Sequence, residues 1–177
     1  MKVSRSLTIN ASPDVIWSKL VDDFVPLHEW MAAIKSSTAR PGPALPGAPA
    51  AGRDAAIGPG APGTIMEEVF THLDRSKNLI EFETVLNAPN FNPIKGWSNR
   101  ITLTPQGEAT LVTWSIVVQL RLMGHVMRFP IKKSLRAGFL RSLQEVAHII
   151  ETGQPHPRKA KSFASEAANA TLATAAS

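Results

Sequence analysis

The stretch Gly58–Phe70, GPGAPGTIMEEVF, joins a glycine–proline turn directly to a segment with the composition of a β-strand. A second stretch, Trp97–Gly107 (WSNRITLTPQG), also combines a strand-like segment with a turn. A long amphipathic segment follows near the end of the chain, over Val126–Glu151. Together these features indicate a sheet curled around a helix. One helix cannot fill the concavity of such a sheet, so we expect a cavity that suits an apolar small molecule.

The strand-like segments follow one another at regular intervals. Turn-like links separate them, as in Asp74–Asn78 and Pro105–Glu108. This spacing predicts an antiparallel meander. The predicted strands are Val3–Asn10, Ile34–Ala39, Thr64–Leu73, Leu79–Leu86, Gly96–Thr104 and Thr110–Leu122.

Two short helices are predicted after the first strand. Ser12 can cap the first one and Pro13 suits its first turn, so this helix should run to about Asp22. The second covers Pro26–Ala33. The long helix over Val126–Glu151 carries an apolar stripe and meets a stop signal at Gly153.

The composition changes between Arg40 and Gly63, where six prolines and six glycines stand among alanines. Such a stretch disfavours helices and central strands, so we predict a mobile insertion over residues 41–56, either disordered or a flap over the cavity mouth, and an ordered turn at Gly58–Gly63. The remaining prediction is one domain over residues 1–153 and a disordered, basic, alanine-rich tail over residues 154–177.

Composition limits the possible functions of the 177-residue chain. Hydrophobic residues make up 44%, and without cysteine there is neither a disulfide framework nor a thiolate metal site. The N-terminus lacks the apolar core of a signal peptide, so a cytoplasmic location is the simplest interpretation. The net charge of +5 arises mostly late in the chain. We expect no nucleic-acid partner, and a weak contact of the basic C-terminal region with an anionic membrane stays open.

Three motifs resemble one superfamily. PGTI at Pro62–Ile65 and SNRITLTPQG at Ser98–Gly107 are similar to plant pathogenesis-related pollen allergens. ASPDVIWSKLVDD at Ala11–Asp23, followed by Trp30, is similar to bacterial members. The chain therefore resembles, over about residues 3–152, the START-like SRPBCC group, which also includes polyketide cyclases, dehydratases and lipid carriers. This resemblance implies an α+β helix-grip fold: a curved antiparallel sheet wrapped around a long C-terminal helix, with two short helices after the first strand.

Strand alternation assigns side chains to the two faces of the sheet. Residues of one parity in three strands form an apolar set that should face the cavity. The predicted ligand-binding residues combine these with neighbours on the helices: Trp30, Met66, Phe70, Phe82, Trp97, Asn99, Ile101, Trp114, Ile116, Phe139 and Leu143.

The parity of Thr64–Leu73 is ambiguous from the residues alone, since either Glu67 or Glu68 would face inward. The resemblance favours the set that contains Glu68 and His72. A buried carboxylate needs a partner, and a histidine can exchange a proton near neutral pH. Glu68 and His72 are therefore the predicted catalytic pair if the protein is an enzyme.

Three functions remain open from the sequence. The leading hypothesis is binding or transport of a hydrophobic small molecule such as a lipid, polyketide or isoprenoid. The second is a cofactor-independent enzyme of the polyketide cyclase or dehydratase type, and the third is a protein-interaction module that uses the basic helix and tail. Plant relatives that condense amines with aldehydes rely on a tyrosine, which this chain lacks. The five histidines show no metal-ligand spacing, so we expect no metal and no cofactor. The oligomeric state is left open.

Overall fold

The computed structural model describes residues 1–58, 61, 63–89 and 91–162. Within these residues, seven strands form one antiparallel sheet: β1 Lys2–Ile9, β2 Ile34–Ala39, β3 Gly52–Ile57, β4 Ile65–Asp74, β5 Leu79–Asn87, β6 Ile94–Gln106 and β7 Ala109–Leu120. Their order across the sheet is β1-β7-β6-β5-β4-β3-β2. The meander predicted from strand spacing is confirmed.

Helices precede, follow and pack against this sheet. Helix α1 spans Pro13–Trp17, with the Ser12 hydroxyl accepting a hydrogen bond from the Val15 N–H at 3.5 Å. A π-helical turn over Ser18–Asp22 and a 3-10 turn over Val25–Glu29 follow. Helix α2 spans Leu122–Val126, and the long helix α3 spans Arg128–Thr152. Helix α3 ends where Gly153 adopts a φ of 70°, which glycine tolerates without strain.

Helix α3 lies against the inner face of the sheet. Phe139 of α3 packs on Trp114 of β7, with ring centroids 5.0 Å apart. Leu143 and Val146 continue the helix face into the core and are almost fully buried. This is the α+β helix-grip architecture that the resemblance implied, with short helices after the first strand.

Side-chain alternation places the core where the sequence predicted it. Trp97, Asn99, Ile101 and Leu103 of β6 are all buried, whereas Ser98, Arg100, Thr102 and Thr104 between and after them are not. The same alternation runs over residues 80–86 of β5 and 110–118 of β7. For β4 the structure selects the parity of Met66, Glu68 and Phe70, which the resemblance favoured.

The predicted insertion over residues 41–56 is wrong at its C-terminal end. Gly52–Ile57 forms strand β3, which pairs with β2 on one side and with β4 on the other. The last proline before this strand is Pro49, so no proline removes a hydrogen bond from it. Gly52 allows the close pairing, since a Cβ there would lie 2.0 Å from the carbonyl oxygen of Glu68. The turn predicted at Gly58–Gly63 includes residues 59, 60 and 62, which lie outside the described residues.

The predicted disordered tail also needs a correction at its start. Residues 157–162 are helical and pack back on the domain. Lys159 is buried, and its ammonium group donates hydrogen bonds to the carbonyl oxygens of Met31 and Ile34 at 3.0 and 2.7 Å. Arg158 donates to Glu145 at 3.0 Å. Polar contacts therefore hold this segment on the domain. Because it has no apolar stripe, its sequence pattern did not predict the packing. Residues 163–177 lie outside the described residues.

Candidate functional site

A cavity of about 260 Å³ lies between the sheet and α3. Strands β2, β3, β4, β6 and β7 form one wall, and Ser134, Leu135, Gly138, Phe139 and Ser142 of α3 form the other. The sheet contributes Ile34, Arg53, Ile57, Met66, Glu68, Trp97 and Trp114, with Met31 and Ala33 preceding β2. Most of these side chains are apolar, so the cavity favours an apolar occupant.

Three aromatic rings form the apolar wall of this cavity. Phe139 meets Trp97 and Trp114 edge to face, at centroid distances of 6.0 and 5.0 Å and interplanar angles of 82° and 73°. Edge-to-face contacts of this kind are favourable beyond the area that they bury. The helix and the sheet are thus joined through the same rings that line the cavity.

Asn99 fixes the orientation of both tryptophans from behind this wall. Its Oδ1 accepts hydrogen bonds from Trp97 Nε1 at 3.1 Å and from Trp114 Nε1 at 3.0 Å. Its Nδ2 donates to the Phe82 carbonyl at 3.1 Å and to Thr84 Oγ1 at 2.8 Å. These four bonds use the whole amide, so Asn99 positions the aromatic wall and has no group left for a ligand.

Arg53 and Glu68 form a buried ion pair on the cavity wall. Each residue is only 3% exposed, and Arg53 Nε donates to Glu68 Oε2 at 2.6 Å. Nη2 of Arg53 contacts the same carboxylate oxygen. Nη1 donates to the Phe24 carbonyl at 2.5 Å, and the guanidinium lies 3.8 Å from the centroid of the Phe24 ring. Burial lowers the pKa of the Arg53 guanidinium, and the charge and hydrogen bond of Glu68 oppose this effect.

Thr84 joins the ion pair to the asparagine. Its hydroxyl donates to Glu68 Oε1 at 3.0 Å while it accepts from Asn99. One continuous polar chain therefore runs through the core, from the Phe24 carbonyl to the two indoles. Hydrogen bonds that link buried side chains in this way restrict each of them to one arrangement.

The predicted ligand-binding residues divide into two groups in the structure. Met66, Trp97, Trp114 and Phe139 line the cavity, together with Glu68 of the predicted catalytic pair. The others are buried in the surrounding core. Phe70 and Phe82 pack against Phe24, and the remaining members of this group are Trp30, Asn99, Ile101, Ile116 and Leu143.

The prediction that His72 faces the cavity is wrong. A bulge between Phe70 and His72 leaves Thr71 without a register partner, and His72 then pairs with Glu81. One extra residue in a strand reverses the faces of all residues that follow it. His72 is therefore exposed, whereas Leu73 pairs with Ile80.

Two residues of the site were missed from the sequence. Arg53 lies in the stretch that was predicted to be an insertion. A signal for it did exist, because an inward-facing Glu68 carboxylate needs a cationic partner. Gly138 lines the cavity in the middle of α3, where a Cβ would meet no atom within 4 Å. A glycine inside a helix costs about 1 kcal/mol relative to alanine. The glycine lowers the stability of the helix at this position but leaves part of the cavity empty.

Two other features were compared with the inner cavity as candidate sites. Among the described residues, the histidines, aspartates and glutamates nowhere gather in a group of three that could hold a metal ion. A second hollow, of about 440 Å³, lies on the outer face of the sheet and is lined by polar side chains including Lys2, Glu81 and Arg100. We place the candidate site in the inner cavity because its apolar walls and buried ion pair differ from an ordinary solvated surface.

The fold and the cavity define the class: α+β helix-grip proteins with an internal cavity. The chain belongs to the family described as polyketide cyclase / dehydrase and lipid transport, whose model matches residues 1–148. No curated protein matches the chain in sequence.

Solved structures share the fold at low sequence identity. A START superfamily protein from Mycobacterium smegmatis is 16% identical, with a TM-score of 0.69 over 86% of this chain and 99% of that one. The Zhui aromatase/cyclase from Streptomyces is 13% identical, with a TM-score of 0.63 over 85% and 93%. A truncated norcoclaurine synthase from Thalictrum flavum is 14% identical, with a TM-score of 0.62 over 85% and 92%.

Proposed function

We propose that the protein binds and carries a small hydrophobic molecule that bears a ring and one polar group. The observation that carries this proposal is the cavity beside α3, which combines three aromatic rings with a single buried ion pair. Apolar contact with the rings supplies affinity, at about 25 cal/mol per Å² of buried area before the costs of association. The ion pair supplies orientation.

The size of the cavity favours a compact ligand. An apolar cavity of about 150 Å³ accommodates benzene, and sites for drug-sized molecules have volumes of about 300–1,000 Å³. At about 260 Å³, this cavity suits one or two rings. Among the ligand classes that the sequence suggested, ring-bearing polyketide or isoprenoid fragments fit better than a complete lipid chain.

Arg53 is the group that we expect to bind the polar end of the ligand. A guanidinium has five N–H donors, and three of them bond to Glu68 and Phe24. One N–H on each terminal nitrogen has no hydrogen-bond partner among the described residues. Because Glu68 neutralises the charge of Arg53, a neutral carbonyl or hydroxyl oxygen matches the site better than a carboxylate does.

The cyclase or dehydratase hypothesis is the weaker alternative. Of its predicted catalytic pair, only Glu68 lines the cavity, because the bulge turns His72 outward. Both oxygens of Glu68 already accept hydrogen bonds, from Arg53 and Thr84. A general base must approach the proton that it removes, and this carboxylate would first have to leave its partners.

Replacement of Gly138 by leucine tests the carrier function directly. The side chain would enter the cavity, so we expect binding of 2-naphthol, a two-ring probe with one hydroxyl, to be lost. The helix itself should gain about 0.8–1.0 kcal/mol from the removal of glycine. Fluorescence titration measures binding, and urea denaturation measures the free energy of unfolding.

Gly138→Ala is the matched control for this variant. Alanine removes the same glycine but leaves most of the cavity empty, so the variant should be stabilised and should still bind the probe. Equal binding by the leucine and alanine variants would contradict the proposed site.

A further inference from the structure

Six large apolar side chains are exposed at one end of the molecule. They come from the loop between β5 and β6, from α2 and its link to α3, and from the first turn of α3. We call them the α2 surface, and they are Phe91, Leu122, Met123, Val126, Met127 and Phe129. Leu122, Val126 and Phe129 are 87%, 80% and 79% exposed, which is unusual for such side chains in a folded domain.

The backbone holds this surface in place. Gly124 is the buried residue of α2, and a Cβ there would lie 2.5 Å from the Pro93 carbonyl oxygen. The same carbonyl accepts a hydrogen bond from the Arg121 N–H at 2.9 Å. The helix is thus packed against the β5–β6 loop through its glycine, and its large apolar side chains point to solvent.

Exposed cations accompany the α2 surface along the chain. Between Glu108 and Glu145 the chain contains no aspartate and no glutamate. Arg121 and Arg128 flank α2, and Lys133 and Arg136 follow as exposed residues in the first turns of α3. Exposed apolar side chains beside a group of cations match an anionic lipid bilayer, whose phosphates face the cations while its acyl region accepts the apolar groups.

The α2 surface and the cavity lie toward the same end of the sheet. Ile94, the first residue of β6, pairs with Leu120, the last residue of β7, so the Phe91 loop and α2 meet at this end of the sheet. The antiparallel register brings the end of β3 and the start of β4 to the same end of the sheet. Ile57 and Met66 at that end line the cavity.

We propose that the α2 surface docks the protein on anionic membranes. The cavity then faces the bilayer, and, if the proposed carrier function holds, its ligand enters from the membrane. Among the described residues, a helix that could span a bilayer is absent. The sequence left open a membrane contact through the basic C-terminal region, and this proposal assigns the contact to α2 and the start of α3.

Co-sedimentation with lipid vesicles tests this proposal. The wild-type protein should bind vesicles of equimolar phosphatidylglycerol and phosphatidylcholine much more strongly than pure phosphatidylcholine, and binding should weaken as salt is added. Lys133→Gln with Arg136→Gln should lower the partition coefficient about fivefold for each charge removed. Leu122→Ser with Phe129→Ser should lower binding to the anionic vesicles at least tenfold.

Matched changes elsewhere separate this surface from general charge and hydrophobicity. Lys77→Gln removes a charge at the opposite end of the sheet, and Val15→Ser removes an exposed apolar side chain on α1, so both should bind like the wild type. Unchanged binding of the Leu122/Phe129 variant, or no binding of the wild type to anionic vesicles at low salt, would overturn the proposal. Self-association through these residues, detected by gel filtration without vesicle binding, would also overturn it. Gly138→Leu should keep vesicle binding, so failure of the cavity proposal can be distinguished from failure of this one.

Discussion

Replacement of Arg53 by methionine is expected to lower the free energy of unfolding by about 3–5 kcal/mol. The change leaves the Glu68 carboxylate 3% exposed and without its cation. It also removes the hydrogen bond to the Phe24 carbonyl and the contact with the Phe24 ring. Urea denaturation followed by far-ultraviolet circular dichroism measures the loss.

The chain provides a matched control on the other face of the same strands. Arg40 bonds to Asp54 and Glu67, the neighbours of Arg53 and Glu68, at 2.5 and 2.8 Å, but these side chains are about one third exposed. Arg40→Met should therefore cost less than about 1 kcal/mol. A loss as large as that of Arg53→Met would show that burial is not the cause.

A double variant separates the unpaired charge from lost packing. Arg53→Met with Glu68→Leu removes both charges and fills the space with apolar groups, so most of the stability should return. The same variant should bind 2-naphthol no better than naphthalene, because the donor for the hydroxyl is gone. If the double variant were as unstable as the sum of the single variants, the ion pair would not explain the effect.

Replacement of Asn99 by alanine is expected to cost about 3 kcal/mol. It leaves two indole N–H groups and the Phe82 carbonyl without their partners, and a buried unsatisfied group costs about 1–3 kcal/mol. Because both tryptophans lose their common acceptor, the near-ultraviolet circular dichroism of the aromatic groups should weaken. Binding of 2-naphthol should weaken as well, although Asn99 does not line the cavity.

Ser98 supplies the control for this variant. It precedes Asn99 on β6 and lies on the other face of the sheet, so Ser98→Ala should change the free energy of unfolding by less than about 0.5 kcal/mol. A loss below 1 kcal/mol for Asn99→Ala would contradict the role of the amide as a clamp.

Alternation made the sheet predictable from the sequence. Apolar residues at every second position of β5, β6 and β7 fixed which side chains are buried, and with them the place of Trp97, Trp114 and Asn99 in the core. Phe139 followed from helical spacing in the same way. These patterns depend on local periods, which a single sequence displays.

Features that depend on one residue or on distant pairing were not predictable. The bulge at Thr71 turned His72 outward, and nothing in the residue types announces it. Strand β3 was hidden because its small residues resemble the proline-rich loop before it, and Arg53 was hidden with it. Only the register with β4 shows why a glycine and a buried arginine stand there.

Native mass spectrometry determines whether the cavity beside α3 holds a small apolar molecule. Wild-type protein and the Gly138→Leu and Gly138→Ala variants are purified gently and measured with and without added 2-naphthol. We expect a one-to-one complex, with a co-purified ligand or with the probe, for the wild type and the alanine variant but not for the leucine variant. A complex that persists unchanged in Gly138→Leu, or a wild-type protein that binds neither, would show that this cavity is not the binding site.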